Sequence, residues 1–249
     1  MKHDSTHVSA VILAAGMGKR MKSDLPKVLH AVGERPMLLH VIDAVKAVGA
    51  APIVVITGYQ AERVEAVCAG TGVIFARQDQ QLGTGHAVMQ AEPALAALGG
   101  TVVVLNGDVP GLRPQTIRAF IAHHDGEHAV ATVLTAMLDD PTGYGRIVRD
   151  ANGNLLRIVE EKDASESERA IREINSGLFC FETAELFPAL KRVDRRNSQN
   201  EYYITDVIGY LAAEGKRVVA WCIDDAREVA GVNNPDELDA VRRFVDDQP

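Results

Sequence analysis

Short runs rich in β-branched side chains alternate with helix-like stretches through the first 125 residues, and few architectures accept that order. The strand-like runs are Val8–Leu13, Ile53–Thr57 and residues 73–76 and 101–105; the helix-like stretches are residues 38–48, Ala61–Val67, and residues 85–98 and 114–124. Strand followed by helix, repeated, predicts a parallel sheet covered by helices on both faces. Ligands of such sheets gather at the carboxyl ends of the strands. That rule singles out three loops: those after Leu13, after Ala76 and after Leu105.

The second half has a different rhythm. Runs at residues 130–137, 146–148, 155–159 and 174–181 follow one another with little helix between them, which predicts an antiparallel flap added to the open sheet. Residues 163–169 form a charged stretch, read as a solvated loop or short helix. Helices at 184–190 and 204–213, a strand at Val218–Cys222 and a closing helix at 236–245 complete the chain. No repeat or Pro/Gly/Ser linker separates two units, so residues 1–249 are expected to form one α/β domain with a Rossmann-like, mostly parallel open sheet.

Composition excludes several functions. A formal charge of −8 argues against a protein that coats nucleic acid, which needs a basic face. The apolar run at residues 8–15 is too short to span a bilayer, and the leading Met-Lys-His-Asp-Ser-Thr-His lacks the apolar stretch of a secretion signal; a cytoplasmic protein with no membrane partner is expected. The three cysteines, Cys68, Cys180 and Cys222, include no C-x-x-C pair, and the eight histidines form no H-E-x-x-H pattern.

Three segments carry candidate chemistry. Leu13-Ala14-Ala15-Gly16-Met17-Gly18-Lys19-Arg20-Met21 follows a strand with small residues, and Lys27 follows Pro26. Glycines allow close backbone approach to phosphates, and Arg20 and Lys27 bring charge. The segment is neither a Walker A loop nor G-x-G-x-x-G, and on its residues alone it reads equally as a tight turn. Asp108, just past a strand, suits a turn or cap as well as a hard oxygen ligand. Gln78 and the segment from Gln81 to Thr84 offer donors and acceptors to a base edge, or simply a helix start capped by Thr84. Asn233 reads as part of an Asn-rich turn before Pro235.

Taken together, these segments resemble the signature of the sugar-nucleotide pyrophosphorylases, L-A-A-G-x-G-[ST]-R-M…P-K. The resemblance is to the uridyltransferase domain of the bacterial bifunctional N-acetylglucosamine-1-phosphate uridyltransferase/glucosamine-1-phosphate acetyltransferase family. It continues, in that family's order, through Gln81-Leu82-Gly83-Thr84-Gly85-His86-Ala87, Gly107-Asp108-Val109-Pro110, Asp140-Pro141-Thr142-Gly143-Tyr144-Gly145-Arg146-Ile147, Glu173-Ile174-Asn175-Ser176-Gly177, Glu201-Tyr202-Tyr203-Ile204-Thr205-Asp206 and Gly231-Val232-Asn233-Asn234. Lys19 departs from it, standing where the family has Ser or Thr.

The resemblance implies the nucleotide-diphospho-sugar transferase fold, with a nucleotide-binding half over about residues 8–125 and a sugar-binding half over about 126–249. It implies magnesium-dependent uridylyl transfer from UTP to N-acetylglucosamine 1-phosphate. Arg20, Lys27 and Asp108 would be catalytic, and Asp108 and Asn233 would hold Mg²⁺. Leu13, Ala14, Ala15, Gly16, Gly18, Gln78, Gln81, Gly83 and Thr84 would bind the nucleotide; Gly107, Gly145, Glu160, Asn175, Tyr203 and Thr205 would bind the sugar, with Glu161 a solvated neighbour.

Rival readings are a transferase acting on glucose 1-phosphate with UTP or dTTP, and a catalytically silent nucleotide-sugar-binding protein. The first has relatives that carry G-G-x-G-T-R-L in place of this chain's Ala-Ala-Gly loop; the second would tolerate loss of Arg20, Lys27, Asp108 and Asn233, all present. A molybdenum-cofactor guanylyltransferase, with L-A-G-G, resembles the chain less. The family's hexapeptide-repeat domain, which acetylates and trimerises, has no counterpart in these 249 residues, so neither acetylation nor the usual trimer is expected of them.

Overall fold

The computed structural model describes residues 7–247. The chain enters through β1 (Val8–Leu13), passes single 3-10 turns at Lys19–Met21 and Lys27–Leu29, and makes a small hairpin of β2 (Ala31–Val32) and β3 (Arg35–Pro36). Then follow α1 (Met37–Ala47), β4 (Ile53–Thr57), α2 (Ala61–Val67), β5 (Ile74–Arg77), α3 (Thr84–Met89), α4 (Glu92–Leu95), β6 (Thr101–Asn106) and α5 (Pro114–Gly126). The second half contains β7 (Ala131–Met137), β8 (Gly145–Arg149), β9 (Leu155–Val159), α6 (Glu166–Arg169), β10 (Glu173–Glu182), α7 (Thr183–Leu190), α8 (Thr205–Ala213), β11 (Val218–Cys222), a 3-10 turn at Ala226–Val229 and α9 (Pro235–Asp246).

The main sheet runs β11-β7-β10-β6-β1-β4-β5. Neighbours pair in parallel except at β10, which is antiparallel to both β6 and β7. The mostly parallel α/β architecture is therefore as the strand–helix rhythm predicts.

Strand alternation divides the core between the two faces. Ala10 and Ile12 of β1, Val103 and Leu105 of β6, and Leu178 and Cys180 of β10 pack with Leu38, Val41, Ile42 and Val45 of α1 and Ile117 and Phe120 of α5. The intervening Val11, Val102, Val104, Phe179 and Phe181 face the other way, onto Val88 of α3, Leu186 and Leu190 of α7, and Val207, Ile208 and Leu211 of α8. Burial on both sides is why these strands read as continuous apolar runs.

Two expectations change. The helix predicted over residues 85–98 is broken into α3 and α4, because Pro93 enters at the start of α4 with no N–H to continue the ladder. The antiparallel flap is smaller than predicted. β7 and most of β10 belong to the main sheet, buried on both faces, and only β8, paired to Ile174 and Asn175 of β10, and β9, paired to β8, form the flap. Among the described residues no helix is long and apolar enough to cross a membrane.

Candidate active site

After β1 the chain builds β4 and β5 on one side and then returns to place β6 on the other. The carboxyl ends of β1 and β6 thus flank the point where strand order reverses, where an open α/β sheet leaves a crevice. Leu13, Ala14, Ala15 and Gly16 leave β1 into it, and Asn106 and Asp108 leave β6. Two cavities meet there. One, of about 310 Å³, also reaches Lys27, Gln78, Gln81, Gly83 and Thr84. The other, of about 200 Å³, is walled by Gly145, Glu160, Asn175, Thr205 and Asn233. Leu13, Thr84, Asn106 and Asp108 line both.

At that seam Asp108, 8% exposed, and Asn233 converge on one cation. The Lys27 ammonium donates to Asp108 Oδ2 and, at 3.1 Å, to Asn233 Oδ1. Two loops make this convergence possible. The Val232 N–H donates to the Asp108 carbonyl at 3.1 Å, tying the 231–233 segment to the end of β6. Asn234 then caps α9, its Oδ1 accepting from Glu237 N at 2.9 Å, which leaves the Asn233 side chain facing the cleft. The Asn-rich turn is thus both cap and site, one residue apart.

A carboxylate and an amide carbonyl aimed at one positive centre are a donor set suited to a hard divalent cation that keeps its other positions for phosphate and water. No group of three or more His, Cys, Asp or Glu suited to a metal occurs among the described residues, so substrate oxygens would have to complete the shell.

The glycine-rich loop serves Lys27 as much as it serves a ligand. Gly18 has φ of +66°, and a Cβ there would lie 2.5 Å from Lys27 Cβ. Gly16, in contrast, is exposed with open space around it, free for a ligand to approach. Lys19 and Arg20 sit on the following 3-10 turn, exposed, and Arg20 lines neither cavity.

The residues expected to read a base are already bonded to the protein. Gln78, 4% exposed, donates to Gly83 O at 3.0 Å and lies 3.0 Å from His86 Nδ1. Gln81 donates to Ala15 O at 2.7 Å, joining the loops after β5 and β1. Neither Gln carbonyl oxygen accepts a bond from a described residue, so both remain acceptors. Gly83 is glycine because φ is +108° and a Cβ would meet Tyr202 O at 2.5 Å. Thr84 does not cap its own helix; its Oγ1 accepts the Ile204 N–H at 3.1 Å, at the start of α8.

On the flap side, Glu160 accepts from Thr205 Oγ1 at 2.9 Å, and a Cβ at Gly145 would lie 3.5 Å from its other oxygen. Burial raises the Glu160 pKa, with the Thr205 hydrogen bond opposing and Asp206, Asp163 and Glu201 reinforcing the rise. Asn175 sits at a β-bulge where the pairing with β7 skips to Leu178; its Oδ1 accepts from Gly177 N at 2.9 Å.

Three residues are placed otherwise than the sequence reading expects. Tyr203 is buried with its hydroxyl occupied by Gln199 at 2.8 Å and Asp163 at 3.3 Å, and it lines a third cavity that shares Glu160 and Thr205 with the flap cavity. Gly107 lines neither cavity: its N–H donates to Leu13 O at 2.9 Å, and a Cβ would press on that oxygen and on Leu38. Glu161 is no bystander, because it pairs with Arg146 at 2.7 Å.

The family model for the MobA-like NTP transferase domain matches residues 10–197. The chain belongs to that family. It is 49% identical over 238 residues to a bifunctional protein GlmU of Brevibacillus brevis, covering 96% of this chain and 51% of that one. To the bifunctional protein GlmU of Lactobacillus delbrueckii subsp. bulgaricus it is 52% identical over 235 residues, covering 94% and 51%. The chain thus spans about half the length of these relatives. A solved UDP-glucose pyrophosphorylase complexed with UDP-glucose superimposes with a TM-score of 0.75 at 16% identity, covering 95% of this chain and 97% of that one, which shows the shared fold.

Within this NTP transferase domain, sequence reasoning missed Asn106, which lines both cavities and whose amide lies where a Gly177 Cβ would fall. Its position at a strand's carboxyl end, two residues before Asp108, was the available signal.

Proposed function

We propose that this NTP transferase domain transfers the uridylyl group of UTP to N-acetylglucosamine 1-phosphate, forming UDP-N-acetylglucosamine and pyrophosphate. The observation that supports it most is the meeting of Asp108, Asn233 and Lys27 at the seam between two cavities, where an acceptor phosphate and an α-phosphorus would have to meet. The sequence resemblance and the near-50% identity to the GlmU proteins support the choice of substrates.

UTP takes the cavity floored by Leu13 to Gly16, with the acceptor oxygens of Gln78 and Gln81 and the backbone of Gly83 and Thr84 toward the base. The acceptor sugar takes the flap cavity, its hydroxyls and amide facing Glu160, Asn175 and the Gly145 backbone, with Thr205 orienting Glu160. The attacking phosphate is already an anion at neutral pH, so the residues here position and neutralise rather than remove a proton. Asp108 and Asn233 would hold a magnesium ion, which would supply Lewis-acid neutralisation of phosphate charge. The Lys27 ammonium would neutralise the α-phosphate, and the exposed Arg20 would meet the β- and γ-phosphates.

Asp108→Ala is expected to lower pyrophosphate release by about a thousandfold at any magnesium concentration. Turnover within a few fold of the unaltered protein would remove Asp108 from the chemistry.

A further inference from the structure

Arg146 heads the largest fully buried side chains among the described residues, at 1% exposure. Its guanidinium divides between two partners: Nη1 donates to the Tyr144 carbonyl and Nη2 to Glu161 Oε2 at 2.7 Å. The same Glu161 oxygen accepts the Gly143 N–H at 3.1 Å, and Arg169 approaches its other oxygen at 3.6 Å. Glu161 therefore grips the Gly143–Tyr144 turn from both sides, directly at Gly143 and through Arg146 at Tyr144.

Each member of the pair is the chain neighbour of a residue that walls the acceptor cavity. Gly145 precedes Arg146 and Glu160 precedes Glu161. The strands carry the pattern across: Arg146 stands opposite Val159 on β9, and Gly145 opposite Asn175 on β10. Gly145 on β8, Glu160 just past β9 and Asn175 on β10 thus wall the cavity, while the ion pair joins β8 to the segment after β9 beside it.

Arg146 is buried but Glu161 keeps 28% of its side chain exposed, and a pair so placed adds little to stability, because water screens the carboxylate and desolvation of the guanidinium offsets the attraction. What the ionic pair adds is direction: a planar fork fixes two acceptors at a set angle. We propose that Arg146 and Glu161 are positioning residues for the acceptor sugar, holding the Gly143–Gly145 turn against the end of β9 so that the Gly145 backbone and Glu160 meet the sugar at fixed spacing. This rests on the reading of the flap cavity as the acceptor-sugar site.

The test uses the whole chain, with Glu161→Gln and the double variant Arg146→Met/Glu161→Leu. Glu161→Gln is expected to raise KM for N-acetylglucosamine 1-phosphate about tenfold while KM for UTP stays within about twofold, as loss of orientation at one substrate predicts. Hydrogen–deuterium exchange at the Gly143 and Gly145 amides should quicken in the same variant. The apolar double variant is expected to stay folded and still show the raised sugar KM. A merely structural pair predicts the opposite: an equal rise in both KM values for Glu161→Gln, or a normal sugar KM once the apolar pair restores the fold; either result overturns the proposal. If the unaltered protein shows no saturable dependence on the sugar phosphate, the acceptor-site reading itself fails and takes this proposal with it.

Discussion

Lys27 holds the centre of the cleft with its ammonium against Asp108 and Asn233, the two oxygens suited to a metal. One positive charge thus keeps the two oxygens together, and a divalent ion held there, as proposed, would compete with Lys27 for them. Replacing Lys27 with Met is expected to tighten Mn²⁺ binding about tenfold in the absence of nucleotide, since the competing charge is gone. The same change should lower turnover by about a hundredfold or more, through loss of charge at the transferring phosphate. A Mn²⁺ titration followed by electron paramagnetic resonance reads the first effect; unchanged or weaker binding would contradict the competition.

Asp206 is a second residue whose environment works against it. Burial, reinforced by Asp194 and Asp163, raises its carboxyl from the ordinary 3.8 to about 6. It shares a cavity with Glu160, Tyr203, Tyr210, Arg157 and Arg196, but no cation pairs with it among the described residues. A folded-state pKa above the unfolded value means that the folded protein holds the proton more tightly, so stability declines as pH rises from about 4 through about 6. Asp206→Asn is therefore expected to stabilise the protein at pH 7, by about 1 kcal/mol after allowance for solvent screening, and to do nothing below pH 4. Thermal melts at the two pH values check this, and equal shifts at both would contradict it.

At the level of elements, the loop after β1 and the 3-10 turn at Lys27–Leu29 act as one piece because Gly18 lets them touch. Gly18→Ala combines a strained left-handed residue, at a cost of about 1–2 kcal/mol, with a methyl group driven into the Lys27 stem. It should reduce turnover about tenfold or more while the melting temperature drops by only a few degrees. A variant with full activity would separate Gly18 from the placement of Lys27.

The elements also show what a sequence conveys. Strands β1, β4 and β6 are legible because apolar residues on both faces leave an unbroken run. The flap boundary is not, since β7 and β10 have the same β-branched character whether they lie in a flap or in the main sheet; only their partners differ. Asp108 and Arg20 stand out by position and motif. The Arg146–Glu161 pair does not, because its partners are fifteen residues apart and Tyr-Gly-Arg-Ile looks like any strand start. Tyr203 and Thr84 fall in a matching motif, yet their hydroxyls serve Asp163 and Ile204, a choice made by packing that no spacing encodes.

For the molecule as a whole, a single reversal of strand order determines where chemistry can occur. β6 returns beside β1, and β10, the one antiparallel strand of the main path, extends past it to carry β8 and β9. The two cavities thereby open onto the same four residues, Leu13, Thr84, Asn106 and Asp108.

The most direct measurement is pyrophosphate release with magnesium, for UTP, dTTP, CTP and GTP each paired with N-acetylglucosamine 1-phosphate and with glucose 1-phosphate. Release fastest with UTP and N-acetylglucosamine 1-phosphate is the predicted result. Release from no pair, or a preference for dTTP or for glucose 1-phosphate, would contradict the proposed activity.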